Sequence, residues 1–480
     1  MDAKAIRGLQ AELDQFLGRF SHCTAGDVQA HVQCYVEGQL SELERKNVEQ
    51  IALNAGATPR TLQEFLASYD WDHEAMRDQL QRIVAAEHSG LESIGIIDET
   101  SFVKKGVKTP GVQRQHCGAV GKHENCIVTV HLSYACGDFH CLLDGDLFLP
   151  ESWANDRARC REARIPDEMR YRPKSEIALE LYDRAIGNGL SFSWLTFDEW
   201  YGAKPAFLDA LDHRRQPFVG EIHRNHMIWM KRPRITNRPY RKHGRGRGRK
   251  TPRLVSGSAK ARHAADCVEQ AAEFANQPWE RWHVKDTQKG PKVIEVKHAI
   301  VYPKNADGLP AKPHHLILVR DVLAPNDVKF FLSNAAEKTS LEVLLKVAFS
   351  RWRVERCFED DKSYVGLDHY EGRRYPGLLR HLILSAVSLL FLARARQRRL
   401  ESYPELTISQ VRQATSAVVQ SWWLTPSDAE RLISQTAYRL EYYQRRNVQA
   451  RASHTRTRIR KLESMGIDLN TIKKCQWDTG

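Results

Sequence analysis

The chain has 480 residues and a formal charge of +13, with 72 Lys and Arg against 59 Asp and Glu. That length allows two to four domains and a large buried core, and the basic surplus points to a polyanionic partner. No run of 18 apolar residues occurs, the opening Met1-Asp-Ala-Lys4 has no signal-peptide core, and the ten cysteines form no repeating framework; these features argue against a helical membrane protein and a disulfide scaffold and make the cytoplasm the expected compartment.

Residues 1–88 read as a helical domain, with Leu9, Leu13, Phe16 and Leu17, then Leu62, Phe65 and Leu66, at helical spacing. Within it, 51–62 has the form of a helix, a turn at Gly56, a Thr58 N-cap with Pro59 at the first helical position, and a second helix. A unit of this kind can lay its second helix in a major groove. From Leu91 the periodicity becomes that of strands: 91–97 is a near-continuous apolar run, and 125–135 and 138–149 form a hairpin that turns at Cys136-Gly137-Asp138. A helix over 175–186 ends at Gly187 and Gly189; a strand (192–197), a helix (204–212) and another strand (217–230) follow. Strands followed by helix and strand in alternation predict a mixed α/β sheet over 89–230.

Residues 231–335 read as an insertion, mostly β. Its opening segment, 231–253, holds 11 Lys or Arg among 23 residues, with Arg245, Arg247 and Arg249 alternating with Gly so that backbone and guanidinium groups are free to follow phosphates. A hairpin over 282–284 and 293–300 and a strand at 316–319 follow; Trp279 and Trp282 are either insertion core or stacking platforms for unpaired bases. A single helix over 339–364 would complete the α/β core. The remainder, 366–480, returns to helix: 378–393, interrupted by Arg380 and His381, reads as a buried helix, and 445–461 carries 7 Lys or Arg, Arg445 and Arg446 among them, as a second phosphate grip. Cys136 and Cys141 have a C-x4-C spacing with no second pair to complete a zinc site, and the cysteines read as core thiols.

Three carboxylates stand out. Asp98 closes the apolar run 94–97 and Asp198 closes 195–197, as acids at the ends of buried parallel strands would. Glu355 lies in the helix of 339–364 with Arg351 and Lys362 at Arg-x3-Glu-x6-Lys spacing, and at 100° per residue the steps of 4 and 11 bring all three within about 40° of one face. Glu199 and Glu359 are the nearest rivals. Hard divalent cations take carboxylate oxygens, and two of them a few Å apart can activate a water and stabilise the leaving oxygen of a phosphodiester. Asp98, Asp198 and Glu355 are therefore the expected catalytic ligands of two Mg²⁺ ions, which Mn²⁺ can replace, with Arg351 and Lys362 as countercharge to the phosphate.

These residues resemble bacterial insertion-sequence transposases of the DDE superfamily, in the branch with a Tyr-x2-Arg-x3-Glu-x6-Lys signature. Arg351-Trp-Arg-Val-Glu355 and Lys362 fit it, followed by Gly366-Leu-Asp-His-Tyr370; Ala348 stands where the Tyr is expected. Asp98-Glu-Thr-Ser-Phe102 with Lys104 and Lys105 is similar to the block around the family's first Asp, and Gln444-Arg-Arg-Asn447 to its basic C-terminal end. The resemblance implies an RNase H-like mixed-sheet core with a β-rich insertion, flanked by helical N- and C-terminal domains. It implies binding of double-stranded DNA at terminal inverted repeats, dimerisation on paired ends, and cut-and-paste transposition by Mg²⁺-dependent cleavage and strand transfer, with Lys104 and Lys105 among the DNA contacts. Two other classes stay open: a catalytically silent, domesticated DNA-binding protein, and an RNase H-like nuclease that cuts without joining.

Overall fold

The computed structural model describes residues 1–24, 26–90, 92–237 and 251–475; Arg245, Arg247 and Arg249 lie outside the described residues. The described chain falls into two units. The first takes Met1–Ser191 and Trp352–Ser453, the second Phe192–Arg351 and 454–475.

The first unit opens with five helices, α1 (Ala3–Gly18), α2 (Val28–Leu40), α3 (Val48–Asn54), α4 (Pro59–Ala67) and α5 (His73–His88). Their apolar stripes, such as Ile6, Leu9, Leu13 and Phe16 of α1, are buried, which is the main source of helix stability in a folded chain. The helix pair expected at 51–62 is present: Asn47 caps α3 by accepting from the Gln50 N–H, Gly56 takes φ 64°, and Pro59 opens α4. Thr58 stands at the cap position but its side chain makes no capping bond.

Helices α1, α2, α4 and α5 pack on α11 (Tyr375–Gln397), which is long and apolar enough to cross a membrane yet mostly buried in the protein, as a core helix would be. Its two polar interruptions find partners inside the protein: Arg380 donates through its two terminal nitrogens to the carbonyls of Phe65, Leu66 and Trp71, leaving its Nε without a partner, and His381 bridges the Tyr35 hydroxyl and the Leu367 carbonyl. Beyond it lie α12 (Ile408–Ser421), opened by a Thr407/Gln410 capping box, and the long α13 (Pro426–Ser464).

The sheet of this unit is antiparallel. β3 (Lys122–Cys136) pairs along one edge with β1 (Ile94–Val103) and along the other with β2 (Gln113–Cys117) and then β4 (Phe139–Leu147); the β3–β4 turn is at Gly137, φ 53°. Helix α6 (Lys174–Gly187) covers one face. On the other lie α11 and α10 (Trp352–Asp360).

In the second unit, β5 (Trp194–Phe197) bridges in parallel to Phe218, just before β6 (Val219–Ile222), with α7 (Glu199–Gly202) and α8 (Pro205–His213) between them. The single strand expected over 217–230 is two, β6 and β7 (Met227–Trp229), at different positions in one sheet. Its other long strands are β8 (Glu280–Thr287), β9 (Gly290–Pro303), β10 (His314–Asp321) and β11 (Ala324–Ser333). β9 pairs with β8, β7 and β10; β10 pairs with β11, and β11 with β6. The β-rich insertion is thus continuous with the strand before it, because β11 finds its partner in β6.

The single helix expected over 339–364 is three pieces. α9 (Leu341–Ser350) ends at Arg351, α10 follows, and Asp361–Val365 is a π turn. At the first break the Ser350 hydroxyl donates to the Val347 carbonyl (2.6 Å), a back-bond that competes with the helical ladder. The second ends at Gly366, φ 79°, whose N–H reaches the Asp361 carbonyl. The 11-residue step from Arg351 to Lys362 therefore does not follow an ideal helix.

Candidate active site

Asp98 does not end a strand. β1 continues to Val103, with Thr100 and Phe102 still turned into the core, so the apolar run marked the middle of an antiparallel strand. Asp98 is directly opposite His131 on β3, and opposed residues of an antiparallel pair share a face. The His131 ring meets Phe358 of α10 (5.2 Å between centroids), so Asp98 lies on the sheet face that carries the Glu355 helix. Glu99 points to the other face, where it pairs with Lys174 of α6 (2.7 Å). His131 is fully buried, and its pKa is pushed down to about 3 by burial and by the nearby charge of Lys362; it stays neutral beside the acid.

On α10, Val354, Cys357 and Phe358 face the core, while Trp352, Glu355 and Glu359 form an exposed stripe. Glu359, the rival of Glu355, is tied to Arg356 (3.1 Å). Lys362 is half-buried, with Nζ 5.7 Å from the Phe102 ring centre, and burial lowers its pKa against the pull of Asp368. Lys104 shares that ring (5.8 Å) but turns inward: its Nζ donates to the carbonyls of Asp368 (3.2 Å) and Tyr370 (2.5 Å), and burial lowers its pKa to about 8. Expected as a DNA contact, Lys104 is instead a buried tie between β1 and the loop after the π turn; Lys105 beside it is exposed.

In the second unit Asp198 does end its strand. It caps α7, its Oδ1 accepting from the N–H groups of Trp200 (3.0 Å) and Tyr201 (3.3 Å). Close approach fixes this turn: a Cβ on Gly202 would stand 2.0 Å from the Glu221 carbonyl oxygen of β6. Burial raises the Asp198 pKa, opposed by the α7 N–H groups and by the charge of Arg351. The expected site residues thus form two groups, Asp98, Glu355 and Lys362 in one unit and Asp198 with Arg351 in the other. Among the described residues, no three or more His, Cys, Asp or Glu side chains are grouped to hold a metal ion.

The expected flanking contacts divide. Arg445 and Arg446 are exposed on α13, the former paired with Glu441. Trp282 is buried in β8 and presents no open face for a base, while Trp279 is half-buried with Arg320 (4.1 Å) and Lys297 (5.3 Å) against its ring. The second helix of the α3–α4 pair carries one cation, Arg60, already paired with Glu64. Residue-by-residue reading missed Lys46, Asn47, His369 and Glu371, which meet at the loop after Lys362; of these only His369 falls within the motif Gly366-Leu-Asp-His-Tyr370. The ten cysteines are free thiols, mostly buried.

Residues 16–291, more than half of the chain, match the sequence model of a family described as DDE superfamily endonuclease. The match takes in both Asp98 and Asp198; Glu355 lies beyond it. Over 201 residues the chain is 31% identical to a probable transposase for insertion sequence element IS701 from Microchaete diplosiphon, an alignment covering 41% of this chain and 48% of that protein. The chain therefore spans about half the length of the curated relative it matches. With one aspartate in the middle of an antiparallel strand, a second at a strand end capping a helix, and both inside the matched segment, the chain belongs to the DDE superfamily endonuclease family.

Proposed function

We propose that this protein is a DNA transposase that binds the terminal inverted repeats of its element and carries out cleavage and strand transfer with Asp98, Asp198 and Glu355 as catalytic carboxylates. The observation that carries this reading is the placement of Asp98 on the sheet face under the Glu355 helix, in a chain whose family match includes both aspartates. An RNase H-like core and a homodimer on paired ends belong to the same reading.

The donor set suits a hard divalent ion such as Mg²⁺: it is all oxygen, and Asp198 is a desolvated carboxylate whose charge burial disfavours, a cost that a bound cation would offset. Asp98, Asp198 and Glu355 would hold the ions. When bound, they supply activation of the attacking hydroxyl and charge neutralisation at the phosphate. Asp198 Oδ1 is fixed by two N–H donors, which orients the carboxylate and leaves Oδ2 for a ligand. Lys362 and Arg351 provide countercharge for the scissile phosphate and its neighbours, while Lys105, Arg445 and Arg446 grip the backbone. Cleavage would leave a 3′ hydroxyl that attacks target DNA in a second, identical displacement, so no covalent enzyme intermediate is required. Tyr364, half-buried with Arg412 over its ring (5.9 Å), is assigned no nucleophilic role.

Glu355→Gln or Asp98→Asn should abolish Mg²⁺-dependent cleavage of end DNA while duplex binding survives in gel-shift titrations. Cleavage retained by either variant discards the assignment. Normal cutting by Glu355→Gln together with a dead Glu359→Gln would move the third carboxylate one turn along α10.

A further inference from the structure

The loop Gly366–Glu371 leaves the π turn that carries Lys362 and runs between two anchors of the first unit. On one side Lys104, just past β1, holds the carbonyls of Asp368 and Tyr370 (3.2 and 2.5 Å), and His381 of α11 holds that of Leu367 (3.0 Å). On the other side are the three residues that lead into α3. Arg45 pairs with Glu371 (2.9 Å), Asn47 Nδ2 donates to the second Glu371 oxygen (3.0 Å), and the Lys46 N–H donates to His369 Nδ1 (2.9 Å). Asn47 makes this bond while its own Oδ1 caps α3. Gly366 closes the junction: a Cβ there would stand 2.8 Å from Lys46 Cβ.

Exposed ion pairs such as Arg45–Glu371 contribute little to stability, yet both Glu371 oxygens are committed to residues flanking the α3 cap. That geometry specifies position. The π turn holds one residue more than an α turn, a feature frequent at functional segments. Asp361 within it is fully buried, with neither carboxyl oxygen hydrogen-bonded, a sign of a segment held away from its own optimum. We propose that Glu371 and His369 are positioning residues through which the α3–α4 pair, on meeting duplex DNA, sets Lys362 against the cleaved strand. This rests on the reading of the protein as a DNA-cutting enzyme whose helix pair meets DNA.

The test is hydrogen exchange on the full chain, alone and saturated with duplex DNA from the sequence flanking its gene, with cleavage followed in parallel. DNA should slow exchange over 361–371 about fivefold or more in the wild type, the scale of an ordinary coupling. Glu371→Gln should bind the duplex as before and exchange normally without it, but lose both the slowing and most of the cleavage rate. The conservative Glu371→Asp, which keeps a carboxylate for both Arg45 and Asn47, should retain much of both. DNA binding that leaves exchange over 361–371 unchanged, or a Glu371→Gln variant that behaves as wild type, overturns the coupling alone. A chain that binds no duplex overturns the DNA reading and the coupling with it.

Discussion

Asp98 and Asp198 both follow an apolar run, and the protein holds them by different means. Asp98 sits half-buried midway along a strand of the antiparallel sheet, and its surroundings are fixed from a distance by α10, the π turn and the Lys104-bound loop. Asp198 sits in a tight strand-to-helix turn, desolvated and fixed locally by two backbone donors. The first arrangement depends on long-range packing; the second concentrates its electrostatic cost in one carboxyl group, a common feature of catalytic acids.

The largest expected effect separates activity from stability at Asp198. Asp198→Asn should reduce cleavage on the order of 10³-fold or more, as loss of a member of a catalytic set does, while raising the melting temperature. Burial raises the folded-state pKa, so the folded protein binds this proton more tightly than the unfolded chain. The ionised group therefore costs stability, increasingly as pH rises above the ordinary aspartate value to the folded one, and the amide removes that cost. A lower melting temperature at pH 7 would break the contrast between the two acids.

Lys104→Met tests the distant support of Asp98. It leaves two carbonyls without their donor and should cost about 1–3 kcal/mol in denaturant unfolding. In the wild type the folded Lys104 releases its proton near pH 8, whereas the unfolded lysine keeps it to about 10.5, so its contribution to stability should rise with pH across that window. The variant should lose this rise; an identical pH profile would show that Lys104 is not buried as described. Gly366→Ala combines a φ of +79° with contacts of 2.8 Å to Lys46 and His369, and should cost a similar ~1–3 kcal/mol, read by thermal melting. The smallest effect lies far from both acids: Arg446→Ala on exposed α13 should leave melting unchanged and lower the slope of log affinity against log salt by about 0.9.

Legibility in the sequence followed how local the cause was. The N-terminal helices, the β3–β4 hairpin at Gly137, the end of α6 near Gly189 and the buried nature of α11 were all legible, because periodicity and turn residues act over a few positions. The strand end at Asp198 was legible for the same reason. The continuation of β1 beyond Asp98 was not, since β3 supplies its partners through Cys126–Ala135. Nor was the inward turn of Lys104, whose acceptors are more than 260 residues away.

By itself the sequence determined the order and type of most elements, the basic character, and the three acids with Arg351 and Lys362 as the residues to examine, because side-chain chemistry and short-range spacing are written residue by residue. The tertiary structure decided that Lys104 braces a loop, that Trp282 is buried, that the insertion joins β6, and that the helix before Lys362 breaks twice. Burial and partner choice are properties of segments distant in sequence and close in space, and no single stretch of chain encodes them.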